Sequence, residues 1–273
     1  MGTPEAIADG LAYDSFMGRW SGVVAREFIA WLSAPSNSSW LDVGCGTGAL
    51  SATILESASP SSVCGIDPAG NYIDYVQSNI LDSRARFEVG DALALPFGER
   101  SFDIVVSGLV LNQITAPAAA VAEMARVTRI GGLVAAYVWD FAGGMQLLRY
   151  FWDTAIELDP AAEVLDQGRR FPLCHPDKLY EVFGGAWLEQ VEVRPIDVPT
   201  VFRDFDDYWL PFLSGHGLRA PGYVMSLSAR RRSALEQRIR AALPIDADGS
   251  IHLVARAWAV RGSNSGQSGE SAA

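Results

Sequence analysis

The strongest constraint on the fold is a rhythm of short apolar runs alternating with stretches of helical periodicity. The runs are Ser39 to Val43, Ser62 to Asp67, Arg86 to Val89, Phe102 to Val106 and Leu133 to Trp139. Between them Leu50, Ile54, Leu55 and Ala58 share one helical face, and Tyr72, Ile73, Val76 and Ile80 share another. Pro117 suits a first helical turn, and the spacing predicts a helix through Val121, Met124 and Val127 that stops at Gly131-Gly132. Strands that are apolar on both faces need cover on both faces. The pattern therefore predicts a parallel sheet with helices on each side, the doubly wound α/β class.

The rhythm changes after Asp140. Helical patterns cover Gly143 to Leu158, interrupted at Asp159-Pro160, and Pro176 to Phe183, and Leu188 to Val193 reads as a strand. Phe202 to Leu243 is rich in aromatic residues and broken by Pro211, Gly215, Gly217, Pro221 and Gly222, which predicts a helical insertion before a last strand over Ile251 to Val260. This divides the chain into an N-terminal helical segment (1–38), a core domain (39–201 and 250–261), a helical insertion (202–249) and a Gly/Ser-rich tail (262–273) expected to be mobile.

Composition narrows the function classes. With 49% apolar residues the 273-residue chain can bury a sizeable core. A net charge of −11 sets up a field that repels phosphate backbones, so nucleic acid and anionic membrane surfaces are not expected partners. Cys45, Cys64 and Cys174 are odd in number and lack metal-ligand spacing, which fits a reducing compartment without disulfides. Asp206-Asp207 has no third ligand nearby, so no metal is expected. The N-terminus lacks a basic-then-apolar leader, and the longest apolar stretch, Leu133 to Trp139, falls far below the roughly 20 residues that span a bilayer. A soluble, cytoplasmic protein is expected.

The chemistry concentrates in Leu41-Asp42-Val43-Gly44-Cys45-Gly46-Thr47-Gly48, where the first strand turns into the first helix of the sheet. Ligands of open α/β sheets bind at such strand ends. Gly44, Gly46 and Ala49 also fit the dinucleotide fingerprint, so the loop alone leaves a nicotinamide-dependent oxidoreductase open. Three neighbours sharpen the choice. Asp42 supplies a carboxylate for a cationic amine and would repel a pyrophosphate. Asp67 ends the second strand, where an acid can accept both hydroxyls of a ribose. Asp91, in Gly90-Asp91-Ala92 after the third strand, can accept from an adenine amino group while the Ala92 N–H meets a ring nitrogen.

With these motifs the chain resembles a class I S-adenosylmethionine (SAM)-dependent methyltransferase, of the small-molecule branch that includes the ubiquinone/menaquinone-biosynthesis enzymes. The resemblance rests on LDVGCGTG (41–48), GIDPAGNYI (65–73), VGDALALPF (89–97), FDIVVSGLVLNQI (102–114) and ARVTRIGGLVAAYVWD (125–140), and covers about residues 39 to 140. It implies strand order 3-2-1-4-5-7-6 with strand 7 antiparallel, so that the insertion becomes a lid between the last two strands. It implies SAM as cofactor, with Gly44, Cys45 and Gly46 against its methionine part, Asp42 ordering the loop or the amino group, and Asp67 with Pro68 at the ribose. Asp91 and Ala92 would bracket the adenine, and Ser107, Gly108 and Leu109 would lie near the sulfonium. Tyr13 and Phe16 to Ser21 resemble an N-terminal segment that closes over the cofactor in relatives, with Arg19 as a partner for the methionine carboxylate. Cys45 would be a small side chain packed behind the cofactor rather than a nucleophile.

Methyl transfer from a sulfonium needs alignment more than acid–base help, because the cofactor brings both the activated methyl and the leaving group. No residue is placed by spacing as a general base, which also leaves open a non-catalytic SAM-binding module. His216 is a candidate for the acceptor side or a surface-loop histidine; His175 fits a helix cap, and His252 a structural place in the last strand. Asn112 and Gln113 are candidates for acceptor contact or loop hydrogen bonding. Tyr208, Trp209 and Phe212 form an aromatic stripe that suits either core or the wall of an apolar acceptor pocket. Arg230, Arg231, Arg232, Arg238 and Arg240 read as the solvated face of a helix. The expected partner is a small, apolar or aromatic acceptor.

Overall fold

A computed structural model describes residues 18–214 and 219–266. Its centre is one seven-stranded sheet of β1 (Ser39–Val43), β2 (Ser62–Asp67), β3 (Ala85–Val89), β4 (Phe102–Gly108), β5 (Thr128–Trp139), β6 (Leu188–Phe202) and β7 (Ile251–Asn264). The order is β3-β2-β1-β4-β5-β7-β6. The first five strands are parallel, and β7 pairs antiparallel with both β5 and β6. This is the architecture the sequence predicts.

Helices α1 (Arg19–Leu32), α2 (Ala49–Ser57), α3 (Gly70–Asn79) and α4 (Pro117–Val127) belong to the first half of the chain. Helices α5 (Gln146–Leu158), α6 (Gln167–Arg170) and α7 (Pro176–Gly185) follow β5, while α8 (Phe205–Trp209), α9 (Arg219–Ser226) and α10 (Ala229–Ala242) lie between β6 and β7. Trp40, Leu41 and Val43 on β1, Val105 and Val106 on β4, and Val134 to Ala136 on β5 have no exposed surface. Burial of consecutive residues means that both faces of these central strands are covered, as an all-apolar strand requires.

Three elements depart from the periodicity. Helix α4 stops at Val127 rather than at the glycine pair, because Thr128 turns its hydroxyl back to the Met124 carbonyl (2.7 Å) and at once enters β5. Gly131-Gly132 then lie inside the strand, at the irregularity where Phe102 pairs with Thr128 but Ile104 with Leu133. Strand β6 runs on past Val193 to Phe202 with Ile196, Val198, Thr200 and Phe202 buried in strict alternation. Pro195 and Pro199 are compatible with that strand because β6 is the edge of the sheet, where a missing N–H leaves no ladder partner unmet. The tail expected from Gly262 begins later: Gly262 and Ser263 pair with Val134 and Leu133 of β5, and the Asn264 amide donates to the Ala125 and Thr128 carbonyls.

The aromatic stripe of the insertion is core. Tyr208 and Phe212 are fully buried, the Phe212 ring stacks on Phe151 of α5 at 4.6 Å, and the Tyr208 hydroxyl donates to the Leu147 carbonyl (2.9 Å). Helix α10 buries only Leu235 and Ile239; Arg230, Arg231 and Arg238 are exposed as expected of a solvated face, whereas Arg232 is half-buried and donates to the Val224 and Leu227 carbonyls. Arg240 lies over the Phe205 ring at 4.1 Å, a cation–π contact that ties α10 to α8.

Candidate active site

A cavity of about 460 Å³ opens at the carboxyl ends of β1 and β4. Its walls include Asp42, the loop Gly44 to Thr47, Leu50, Tyr72, the β4 end from Gly108 to Val110, Gln113, Ser21 of α1 and Tyr137 of β5. The loop takes its shape from its glycines, each for its own reason. A Cβ on Gly44 would stand 2.6 Å from Val110, and one on Gly48 would stand 2.5 Å from Val76, so these two admit neighbouring side chains. Gly46 has φ +50° and nothing within 4 Å of the place a Cβ would take, so its missing side chain leaves open space in the cavity wall.

Four N–H groups of the loop are committed to protein acceptors. Gly44 and Cys45 both donate to the Ile66 carbonyl (2.8 Å each), Gly48 donates to Cys45, and Gly46 donates to Asp67 Oδ2 (3.1 Å). A loop that cradles a pyrophosphate needs those donors free. Among the described lining residues there is also no Lys, Arg or His, only the Asp42 carboxylate. The site therefore disfavours a phosphate and favours a cation, which argues against the dinucleotide alternative that the glycine pattern leaves open.

Asp42 carries the electrostatics. It has no exposed surface; Oδ2 accepts from the Ser51 hydroxyl (2.7 Å), while Oδ1 has no hydrogen-bond partner among the described residues. Burial first, and the nearby Asp67 carboxylate, push its pKa up to about 7 against the counteracting Ser51 bond. An orphaned carboxylate oxygen in a cavity wall is costly unless a donor or cation meets it. The primary ammonium of an amino-acid ligand supplies both, so an adenosyl-methionine group fits this wall.

Several predicted site residues sit elsewhere. Asp67 does not line the cavity: Oδ1 accepts from Ala69 N (2.9 Å) and Oδ2 from Gly46 N, so it binds the β1 loop to the β2 turn, and burial holds its carboxyl above the usual range. Pro68 next to it is exposed. Asp91 is exposed and accepts from Leu93 N (2.9 Å), and Ala92 is half-buried in the same turn. Ser107 is buried under the cavity floor, its hydroxyl donating to the Val43 carbonyl (2.9 Å) and tying β4 to β1. Leu109 does line the cavity, in a left-handed conformation at φ +61°.

Arg19 is not among the described residues that line the cavity. It pairs with Asp207 at 3.2 Å and lies over the rings of Trp20 and Phe202 at 4.4 and 4.7 Å, fastening α1 to the insertion. Cys45 is buried with Ile73, Val76 and Phe87, and burial with the neighbouring Asp42 raises its thiol far above its ordinary range, so it is no nucleophile. Burial likewise pushes Cys64 up to about 11 and Cys174 to about 12. His175 caps α7, accepting from Asp177 N. His252 is exposed beside Ser250 and Asp246, away from the cavity lining. Tyr13, Phe16, Met17, Gly215, His216 and Gly217 lie outside the described residues, which hold no group of acidic, His and Cys side chains able to bind a metal. Ser21, from the segment expected to close over the cofactor, lines the cavity, while Tyr72 and Tyr137 were not singled out as cavity residues; a lone tyrosine in an otherwise aliphatic strand was the available signal for the last.

Comparisons with known proteins find methyltransferases. A profile of the family described as "Methyltransferase domain" matches residues 41–136, the segment from the glycine loop to β5. Residues 41–136 are thus similar to a methyltransferase domain. The similarity of the chain to a demethylmenaquinone methyltransferase of Roseiflexus castenholzii is 38% identity over 107 residues, covering 39% of this chain and 45% of that protein. A 2-methyl-6-phytyl-1,4-hydroquinone methyltransferase of Synechocystis is 26% identical over 204 residues, covering 74% of this chain and 60% of that protein. The chain thus spans about half the length of the first of these relatives. In fold, the domain and its flanks resemble phosphoethanolamine N-methyltransferase 2 of Haemonchus contortus in complex with S-adenosyl-L-methionine, with TM-score 0.55, 16% identity and coverage of 92% of this chain and 56% of that one. No helix among the described residues is long and apolar enough to cross a membrane.

Proposed function

We propose that the protein transfers a methyl group from S-adenosyl-L-methionine to a small, ring-containing acceptor of the hydroquinol class. The single observation that carries the cofactor half is the unpartnered Asp42 Oδ1 in a cavity wall without a basic residue. When bound, the cofactor supplies a methyl on a positive sulfur and a neutral leaving group. The protein's own residues have simpler tasks. Asp42 holds the ammonium, with Ser51 fixing its carboxylate. The open face at Gly46 admits the amino-acid backbone, and Asp67 keeps Gly46 in place through the bond to its N–H. Asp67 and Pro68, at the end of β2, and Asp91 and Ala92, after β3, are proposed to hold the ribose and adenine. Leu50, Leu109 and Val110 exclude water from the reacting end, where proximity and orientation can contribute roughly 7–11 kcal/mol of the barrier.

The acceptor half is supported by the apolar walls and by the names of the relatives, which act on quinone and hydroquinone rings. The test is calorimetric titration with S-adenosylhomocysteine, followed by incubation with S-adenosylmethionine and a reduced 1,4-naphthoquinone. Binding of the first and a methylated product from the second are expected. No binding of S-adenosylhomocysteine at millimolar concentration would reject the reading.

A further inference from the structure

We infer that Glu123 and Arg126 of α4 are a positioning pair for the cofactor's purine: they fix the loop that carries Asp91 and Ala92, and so set a preference for a 6-amino over a 6-oxo ring. The inference rests on the reading above that Asp91 and Ala92 hold the adenine. Helix α4 buries Ala120, Val121, Met124 and Val127 completely and leaves Glu123 and Arg126 half-buried on its flank. Three positions apart on a helix, the two side chains meet. Arg126 Nε and Nη2 donate to the two oxygens of the Glu123 carboxylate (2.7 and 2.8 Å).

The pair grips backbone. Glu123 Oε2 accepts from Leu95 N (2.9 Å), while Arg126 donates from Nη2 to the Leu95 carbonyl (3.1 Å) and from Nη1 to the Phe97 carbonyl (2.9 Å). Leu95 and Phe97 lie between β3 and β4, outside any strand ladder, so two charged side chains hold what a neighbouring strand would otherwise hold. The other end of the loop is also tied: Gly90 N donates to the Asp67 carbonyl (3.2 Å), and the Asp67 carboxylate accepts from Gly46 in the cavity wall. Between these anchors Asp91 to Ala94 make a tight turn, closed by Ala94 N to the Asp91 carbonyl (3.1 Å) and Leu93 N to Asp91 Oδ1 (2.9 Å).

The turn keeps one acceptor and one donor in hand. Asp91 Oδ2 and the Ala92 N–H have no partner among the described residues. Adenine matches that order, with an amino group to donate and N1 to accept. A 6-oxo purine reverses both, setting an oxygen against the carboxylate and an N1–H against the Ala92 N–H, and such mispairing is what makes a site selective. Hydrogen bonds weaken steeply away from their best distance and angle, so the selectivity depends on how firmly the ends of the turn are held. The charge-assisted bonds of the α4 pair are of the strong kind. The Arg126 guanidinium holds the Glu123 carboxyl below its ordinary range, which keeps the pair ionised at neutral pH. Removing Arg126 takes donors from two loop carbonyls and leaves Glu123 free to move.

Calorimetric titration with S-adenosylhomocysteine and with its 6-oxo analogue, S-inosylhomocysteine, tests the pair. The parent should favour the 6-amino compound by at least about tenfold. Arg126→Met keeps an aliphatic stem and removes the guanidinium. Its affinity for S-adenosylhomocysteine should fall about fivefold while that for the 6-oxo analogue stays within about twofold, so the preference shrinks. Glu123→Gln keeps an acceptor for Leu95 N and should shift the preference the same way by less; it decides the matter if Arg126→Met does not fold. In an Asp91→Ala background Arg126→Met should change the preference no further, because the pair acts through the turn. An unchanged preference in both single variants overturns the inference. So does an equal loss of affinity for both compounds, since the pair would then only support the fold. A parent that binds both compounds equally also overturns it while leaving the methyl-transfer reading intact. A parent that binds no S-adenosylhomocysteine removes the reading itself.

Discussion

Cofactor binding should be linked to a proton through Asp42. Burial pushes this carboxyl up to about 7 in the ligand-free cavity, so near neutrality it is protonated about half the time. An ammonium docked on Oδ1 favours the anion and returns the pKa toward the ordinary value of 3.8. Only the anionic form binds the cation well, so the apparent Kd scales with 1 + 10^(pKa − pH). That factor is about 11 at pH 6 and about 1.1 at pH 8, a roughly tenfold tightening as pH rises through the window, or about 1.4 kcal/mol. At pH 7 each binding event should release about half a proton. Calorimetry with S-adenosylhomocysteine at the two pH values, in buffers of different ionisation enthalpy, measures both quantities. Asp42→Asn should bind more weakly and lose the pH dependence. Equal affinity at pH 6 and pH 8 with no proton released would refute the assignment of the ammonium to Asp42.

Other consequences can be checked on the same protein. Asp42 titrates near 3.8 when unfolded and near 7 when folded, so the fold holds the extra proton between those values and loses stability as pH rises through them. Asp42→Asn should therefore raise Tm at pH 8 relative to the parent, with little gain at pH 4, as followed by thermal denaturation. Ser51→Ala removes the hydrogen bond that favours the anion, so the midpoint of the pH-dependent binding should move above 7. Asp67→Asn weakens the hold on Gly46 and the proposed ribose contact together; at least a roughly tenfold loss of S-adenosylhomocysteine affinity is expected by titration. Tyr208→Phe leaves the buried Leu147 carbonyl without its hydroxyl donor and should destabilise the fold by about 1–2 kcal/mol in urea, with cofactor affinity unchanged.

Much of this was legible in the residues because the central strands are buried on both faces. Ser39–Val43 and Ser62–Asp67 have the bounds their apolar runs predict, since a continuous apolar run ends where the chain emerges from the core. β6 runs beyond Leu188 to Val193 through Pro195 and Pro199, which a strand tolerates at the sheet edge, a position that no local pattern encodes. The glycine loop and Asp42 could be assigned to one cavity because Asp42 and Thr47 stand only five positions apart. Arg19 could not, because its choice between a cofactor carboxylate and Asp207 is made across 188 residues of chain. Tyr137 belongs to the same class: its place in the cavity wall depends on the register of β5 against β4, which no local pattern encodes.

The long β6 strand has a consequence for behaviour in concentrated solution. Fifteen residues of extended backbone at a sheet margin would ordinarily be a template on which another molecule's chain could grow. Proline at 195 and 199 removes two rungs from that ladder, and Glu192, Arg194 and Asp197 place charges beside the gaps. Fibrous association should start elsewhere, and replacing both prolines with valine is the change that would invite it here.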